Sequence, residues 1–210
     1  MNIEEMSLPN AFRIRSRTHR DRRGSFAELV RESRLSEYIG YPFKVAQVNV
    51  SVSRRGTIRG LHGTALPPGQ AKLVSCVAGA VLDVAVDMRV GSPTFGMFDV
   101  TRQDAESGVS VYLADGLGHG FMALTDGACV NYLCSESYVP GTMIEADPLD
   151  PALGIPWQLS GDPVMSEKDA AAPRLADLAA AGQLPTYSEC LEHYAMLGRS
   201  QSSGGEIVWS

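Results

Sequence analysis

The sequence lacks a hydrophobic run long enough to cross a membrane. A spanning helix needs about 18 or more consecutive apolar residues, and the longest apolar segment, 78–88, is interrupted by Asp83 and Asp87. The first nine residues carry two glutamates and no apolar core of a signal peptide. We therefore expect a cytoplasmic protein with no membrane partner.

Cysteine and histidine are scarce, with four of each among 210 residues. The cysteines show no Cys-x-x-Cys spacing, so we predict reduced thiols rather than a disulfide framework or a zinc site. A barrel-type metal site would need two histidines one residue apart, but His62 is followed by Gly63 and Thr64. The sequence therefore predicts no bound metal.

Basic residues are outnumbered and unevenly distributed. The chain has 18 Lys and Arg against 24 Asp and Glu, a net charge of −6. Residues 1–60 hold 12 of these basic and 6 of these acidic residues, so all of the basic excess lies there. An acidic protein of this kind is not expected to bind nucleic acid, because duplex binding needs many cations on one face. The basic segment indicates either a site for a small phosphorylated ligand or a solvated basic face.

The 21 glycines and 12 prolines exceed ordinary usage and punctuate a series of short strands. Strands at about ten-residue spacing favour an antiparallel sandwich or barrel. The predicted strands are 45–52, 71–78, 80–88, 95–101, 109–113, 121–124 and 128–134.

Helical signals are confined to the two ends of the chain. A short helix is predicted over 33–39 and another over 173–181, which begins at a proline. A third covers 188–197, with Ser188 as its N-cap.

The predicted strand 45–52 has two different faces. One face consists of three valines, and the other presents Gln47, Asn49 and Ser51, whose side chains can hydrogen-bond a ligand. Two histidines, His62 and His119, stand beside glycines. Each could be a general base or a structural histidine at a turn.

Two further side chains allow two interpretations each. If strand 71–78 alternates, Lys72 shares a face with Val74 and Cys76. An inward lysine is costly unless it meets an anion, whereas an outward edge-strand lysine is common. Tyr132 is either a core aromatic or a phenol aimed into a cavity.

Seven short motifs occur in order within residues 10–178. They are DRRGSFAE (21–28), RGLH (59–62), QAKLV (70–74), DVAVDMR (83–89), GSPTFG (91–96), GHGF (118–121) and SEKD (166–169). Together they resemble the dTDP-4-dehydrorhamnose 3,5-epimerase family, and most closely its branch that makes antibiotic deoxysugars.

The resemblance implies a mainly β fold, a cupin-type antiparallel double-stranded barrel (jelly roll) with short N- and C-terminal helices. It implies an epimerase domain over 1–180, followed by a helical extension and flexible tail over 181–210. It further implies a homodimer whose substrate is a dTDP-4-keto-6-deoxyhexose, epimerised at C3, C5 or both without a cofactor.

The resemblance also implies roles for individual residues. His62 would be the catalytic base, oriented by Asp169, and Lys72 would stabilise the oxyanion on O4. Tyr132 would return a proton from the opposite face, and Tyr138 would stack on the thymine. The other implied contacts to the substrate nucleotide are Arg23, Glu28, Gln47, Asn49, Arg59, His119 and Lys168.

The chain departs from the family pattern in two places. Gly63 and Thr64 stand where the family usually has an aromatic residue and glutamine, which predicts a changed floor of the sugar pocket. Met143 takes the place of a family glutamate.

Three other functions are compatible with parts of this pattern. They are a sugar-nucleotide 3,4-ketoisomerase, a non-catalytic cupin-type sugar-nucleotide binding protein and a metal-dependent cupin dioxygenase or isomerase. The joint presence of His62, Lys72 and Tyr132 favours the epimerase, because a binding protein needs no acid and base.

Overall fold

Two antiparallel sheets and one separate hairpin contain all the named strands of the computed structural model, which describes residues 1–199. The strands are β1 (Asn2–Glu5), β2 (Ala11–Arg15), β3 (Thr18–Asp21), β4 (Gly24–Ala27), β5 (Gln47–Ser53), β6 (Ile58–Thr64), β7 (Lys72–Ala78), β8 (Ala80–Asp87), β9 (Phe98–Asp104), β10 (Val109–Leu113), β11 (Leu117–Ala123), β12 (Ala128–Cys134) and β13 (Met143–Glu145).

The strand order identifies the architecture. The larger sheet has the order β1-β2-β10-β7-β12-β5, and the smaller has the order β13-β6-β11-β8-β9. Strands β3 and β4 form the hairpin, and all pairings between named strands are antiparallel. The predicted cupin-type jelly roll is confirmed.

Four short helices lie near the ends of the described chain. They are α1 (Glu32–Ile39), α2 (Glu167–Ala170), α3 (Leu175–Ala180) and α4 (Tyr187–Arg199). The N-cap of α4 is Thr186 rather than the predicted Ser188. Thr186 Oγ1 accepts a hydrogen bond from the Glu189 amide, and the Glu189 carboxylate accepts one from the Thr186 amide. This reciprocal capping box fixes where the helix begins. None of these helices is long and apolar enough to span a membrane.

Apolar side chains fill three layers. Val74, Phe121 and Val130 pack between the two sheets. The outer face of the larger sheet is covered by α1 and α4, and the outer face of the smaller sheet by the segment that contains α3. Residues 181–199 therefore share a core with the barrel, while the rest of the predicted tail, 200–210, lies outside the described residues. The predicted domain boundary at residue 180 stays a prediction.

Several strands differ from their predicted bounds. The predictions for 109–113 and 128–134 are confirmed, but the N-terminal strands, β6 and β13 were missed. Strand β9 begins at Phe98, three residues later than predicted, because Gly96 has a φ of 75° that belongs to a turn. His62 lies within β6 rather than after a strand.

Strand β11 begins at Leu117, four residues before its predicted start. The reason is that two of its glycines allow close packing rather than a turn. A Cβ at Gly118 would lie 2.2 Å from Met88 Cε, and a Cβ at Gly60 would lie 2.6 Å from the Cα of Gly120.

A fully buried ion pair links the barrel to both ends of the chain. The Arg89 guanidinium donates to the Asp87 carboxylate, with Nη2–Oδ2 at 2.8 Å, and neither side chain is exposed. Arg89 Nη1 also donates to Asn10 Oδ1 at 2.9 Å, and its guanidinium lies 4.9 Å from the ring centroid of Tyr187. One side chain thus joins the N-terminal segment, β8 and α4.

We expect Arg89→Ala to lower the free energy of unfolding by about 3–5 kcal/mol, because it leaves a buried carboxylate without its partner. The matched control is Arg34→Ala, which removes a guanidinium from an exposed pair with Glu37 and should cost about 0.5 kcal/mol or less. Urea unfolding of the two variants measures both values. If the two variants lose the same free energy of unfolding, the buried pair does not stabilise the fold more than an exposed pair does.

Candidate active site

A cavity of about 700 Å³ opens between the two sheets. Ten of the twelve predicted site residues line it. They are Gln47, Asn49, Arg59, His62, Lys72, His119, Tyr132, Tyr138, Lys168 and Asp169.

His62 and Asp169 form a hydrogen-bonded pair on one wall. His62 projects from β6, and its Nε2 lies 2.7 Å from Oδ1 of Asp169 at the start of α2. The hydroxyl of Ser166 caps this helix by accepting from the Asp169 amide at 3.0 Å. Burial raises the pKa of Asp169, but its hydrogen bonds with His62 and Ser166 outweigh that effect and lower the pKa below its usual value. The carboxylate therefore fixes the orientation of the imidazole in the cavity wall.

Tyr132 stands on the opposite wall, on β12 of the larger sheet. Its hydroxyl lies 3.2 Å from the hydroxyl of Ser51, a contact that fixes the phenol within the cavity. Burial raises the pKa of Tyr132 well above its ordinary value, and the bond to Ser51 only partly opposes this rise. The phenol is therefore protonated near neutral pH and can donate a proton.

A second histidine–carboxylate pair lies deeper in the barrel. His119 Nε2 is 2.7 Å from Asp83 Oδ2, and both side chains are buried. The His119 ring meets the Tyr132 ring edge-on, with centroids 5.9 Å apart. Asp83 was not predicted as a site residue. The feature that could have identified it is its position in the predicted strand 80–88, where alternate side chains share a face. Asp83 holds the His119 ring against Tyr132.

Lys72 points into the cavity, as the inward interpretation of strand 71–78 predicts. It is 8% exposed, and within residues 1–199 its ammonium has no hydrogen-bond or ion-pair partner. Val74 and Cys76 share its face and belong to the cluster between the sheets. Burial lowers the pKa of Lys72, while Cys134 and Asp115 partly oppose this shift. Burial of a charged group is costly unless the group is paired, and Lys72 has no such partner among residues 1–199.

The polar face of β5 forms the rim of the cavity. Gln47 Nε2 donates to Asn49 Oδ1 at 2.9 Å, and Gln47 Oε1 accepts from the Tyr138 amide at 2.7 Å. The Tyr138 ring is 56% exposed at this rim, so one face is available for stacking. Arg59 Nε donates to Ser53 Oγ at 3.0 Å, which holds the guanidinium at the cavity.

Few of the N-terminal arginines reach the cavity. Arg54 and Arg59 line it, whereas others pair with carboxylates on the surface, such as Arg20 with Glu106. Part of the basic segment is therefore a solvated face, and the site for a phosphorylated ligand stays a prediction for the arginines at the cavity.

Arg23 and Glu28 are the two predicted residues that do not line the cavity. Arg23 lies in the β3–β4 turn and pairs with Asp21, and Glu28 follows β4 and pairs with Arg31. In a single chain, these two side chains therefore lie apart from the ten predicted residues that line the cavity.

Strand β13 supplies two cavity residues that were not predicted, Met143 and Glu145. Glu145 is the register partner of His62 and forms an ion pair with Lys168. Gly63, one of the two residues predicted to change the pocket floor, does not face the cavity, and the prediction for Thr64 stays a prediction. A Cβ at Gly63 would point away from the cavity, 3.2 Å from the sulfur of Met88.

No group of three or more histidine, cysteine, aspartate or glutamate side chains among the described residues is arranged to hold a metal ion.

Comparison with known proteins identifies the family. The family model for dTDP-4-dehydrorhamnose 3,5-epimerase matches residues 5–177. The chain belongs to this family. It is 50% identical over 189 residues to a dTDP-4-dehydrorhamnose 3,5-epimerase of Streptomyces griseus, covering 90% of this chain and 94% of that protein.

The names of two further relatives specify epimerisation at a single carbon. A dTDP-4-dehydro-6-deoxyglucose 3-epimerase from a Streptomyces species is 48% identical over 185 residues, covering 88% of this chain and 94% of the relative. The crystal structure of a 3'-monoepimerase from Streptomyces bikiniensis in complex with dTDP-quinovose superposes with a TM-score of 0.89 and 45% identity. That match covers 92% of this chain and 98% of the other. The family therefore includes both single and double epimerases.

Proposed function

We propose that this protein epimerises a dTDP-4-keto-6-deoxyhexose at C3, C5 or both, in a deoxysugar pathway of the antibiotic or rhamnose type. The observation that supports this proposal is that an imidazole and a phenol lie on opposite walls of one cavity. His62 belongs to the smaller sheet and Tyr132 to the larger. Inversion of a carbon needs this arrangement, because the proton must leave one face and return to the other.

The substrate's own carbonyl makes the carbon acidic. A ketone at C4 acidifies the hydrogens on C3 and C5, so a histidine base can remove one and leave an enolate. His62 takes that proton and becomes an imidazolium, which the Asp169 carboxylate stabilises at 2.7 Å. Tyr132 then donates its phenolic proton to the carbon from the opposite face. Solvent takes the proton from His62 and returns one to Tyr132, so the cycle consumes no cofactor.

Lys72 stabilises the charge that develops on O4. A fixed cation contributes most where charge appears in the transition state and water is excluded. The Lys72 ammonium has no partner among residues 1–199 and faces the cavity. The enolate oxygen supplies the anion that this buried cation lacks.

The other lining residues fit a nucleoside diphosphate. The Arg59 guanidinium is suited to hold phosphate oxygens, and the exposed Tyr138 ring can stack on the thymine. Gln47 and Asn49 offer amides to the base or the ribose. Lys168 and His119 supply further donors from the rim and the interior.

We expect His62→Asn to fold normally and to lose activity by a factor of about 10²–10⁴, the usual contribution of a general base. Steady-state turnover, with circular dichroism as the check on folding, measures this. Near-wild-type turnover would eliminate His62 as the base.

We expect Tyr132→Phe to separate the two half-reactions. His62 and Lys72 still form the enolate, so substrate hydrogen continues to exchange with solvent. Net inversion falls by about 10²-fold or more, the share of one acid group. Deuterium wash-in and product stereochemistry, followed by NMR, measure both steps.

Ser51→Ala is the matched control, because it removes the hydroxyl beside Tyr132 but leaves the phenol. Its inversion rate should stay well above that of Tyr132→Phe. If Tyr132→Phe inverts at the wild-type rate, another group is the acid. If exchange and inversion fall together, Tyr132 acts earlier, in positioning the sugar or forming the enolate.

We also propose a homodimer in which Arg23 and Glu28 contact the nucleotide in the partner's cavity. Strand β5 is at the edge of its sheet. Its outward valines, Val48, Val50 and Val52, are 57–64% exposed, and an exposed apolar strand face of this kind is typical of an interface. Arg23 and Glu28 lie outside their own cavity, and their hairpin carries the exposed ring of Phe26.

Complementation tests this arrangement. Arg23→Ala and His62→Asn should each have low activity alone. A refolded mixture should recover activity, because one site of each mixed dimer then has His62 from one protomer and Arg23 from the other. A monomer in light scattering, or no recovery in the mixture, would contradict the proposal.

We infer a cytoplasmic location from the thiols. All four cysteines are free, and burial raises the pKa of Cys76 and Cys190 to about 11, which keeps both protonated. Unpaired thiols of this kind are typical of a reducing compartment.

A further inference from the structure

The lysine and arginine side chains that line the active-site cavity differ in how they are paired. They are Arg54, Arg59, Lys72 and Lys168. Within residues 1–199, only Lys168 has a carboxylate partner, because its ammonium forms an ion pair with Glu145. Arg59 donates to the Ser53 hydroxyl instead. One of the cations that could bind a phosphate is therefore neutralised by the protein itself.

We propose that Glu145 is a positioning residue that pairs with Lys168 before the nucleotide binds and releases it to the diphosphate of the substrate. This inference rests on the proposed function, in which Lys168 is one of the contacts to the nucleotide. It assigns a role to a residue of β13, a strand that was not predicted. The exchange of one anion for another limits the affinity for the nucleotide but keeps the cation in the site.

Glu145 is the fixed member of the pair. Its strand is held against β6, where the Ala146 amide donates to the Leu61 carbonyl at 3.0 Å and the Leu61 amide donates to the Ala146 carbonyl at 3.1 Å. Glu145 is the register partner of His62 and lines the same cavity. Its side chain is only 20% exposed. The carboxylate therefore has a defined place on the wall that carries His62.

Lys168 is the member that can change partners. Its side chain is 68% exposed on α2, and a lysine carries its charge on a flexible four-carbon chain. The pair with Glu145 raises the pKa of Lys168, so the ammonium is charged near neutral pH. An exposed ion pair is weak, and a diphosphate carries more negative charge than one carboxylate. The diphosphate can therefore displace Glu145 from the ammonium.

This exchange suits a reaction in which the dTDP group takes no part in the chemistry. The group is the same in substrate and product, so tighter binding of it would favour both equally and would not accelerate the chemical step. It would instead slow the release of product, a step that limits turnover in many enzymes. A carboxylate that competes for Lys168 opposes this effect and favours release.

Calorimetric titration with dTDP at low salt, where an exposed ion pair is least screened, tests the exchange. We expect Glu145→Gln to tighten dTDP binding by about two- to fivefold, because an exposed ion pair no longer competes for the ammonium. The rate of dTDP dissociation, measured by stopped flow, should fall in the same variant. In the Lys168→Gln background, the substitution of Glu145 should leave the dTDP affinity unchanged. Damage to the fold would weaken binding, not tighten it.

Glu167→Gln is the matched control. Glu167 precedes Lys168 on α2 and is exposed, but it does not line the cavity and has no ion pair among residues 1–199. This variant should bind dTDP as the wild type does. The proposal is overturned if Glu145→Gln binds dTDP no more tightly than Glu167→Gln. It is also overturned if Glu145→Gln tightens binding equally with and without Lys168, since Glu145 would then act directly on the nucleotide.

The wild-type titration distinguishes failure of the exchange from failure of the proposed function. A wild-type protein that binds no dTDP would contradict both. A wild-type protein that binds dTDP and epimerises the dTDP-sugar, but whose dTDP affinity does not rise in Glu145→Gln, would contradict the exchange alone.

Discussion

A buried ammonium without a partner is the feature on which the rest of the site depends. An isolated charge inside a protein is strongly unfavourable unless something compensates for it. Lys72 lies at the wall of a cavity, where an anion of the bound substrate can provide this compensation. In the proposed mechanism the ammonium is therefore already in place when the negative charge forms. In this proposed mechanism the site is thereby preorganised for an enolate rather than for the neutral ketone, which is the difference that accelerates a reaction.

The two-sheet architecture supplies the second requirement. Strands in facing sheets point side chains at each other across the interior, so residues far apart in sequence stand on opposite sides of one ligand. His62 and Tyr132 are 70 positions apart in the chain, and each is oriented by a partner of its own, Asp169 and Ser51. The proposed acid and base are thus held on opposite walls of the cavity by different sheets.

Much of this arrangement follows from local sequence patterns. Alternation along 71–78 correctly predicts that Lys72, Val74 and Cys76 share one face, because strands have a period of two. Glycine is a poor marker of a strand end where close packing, not a turn, requires it, as at Gly118. The direction of Gly63 depends on its strand, which was not predicted. Asp83 was missed because its partner, His119, is 36 residues away and only the fold brings them together.

The proposed function depends on proton exchange at a carbon next to the 4-keto group. The most direct measurement is incubation of the wild-type protein with dTDP-4-keto-6-deoxyglucose in deuterated water, followed by NMR of the sugar. We expect solvent deuterium at C3, C5 or both, with inverted configuration there and the carbonyl still at C4. Absence of deuterium from both carbons, or a product with its carbonyl at C3, would contradict it.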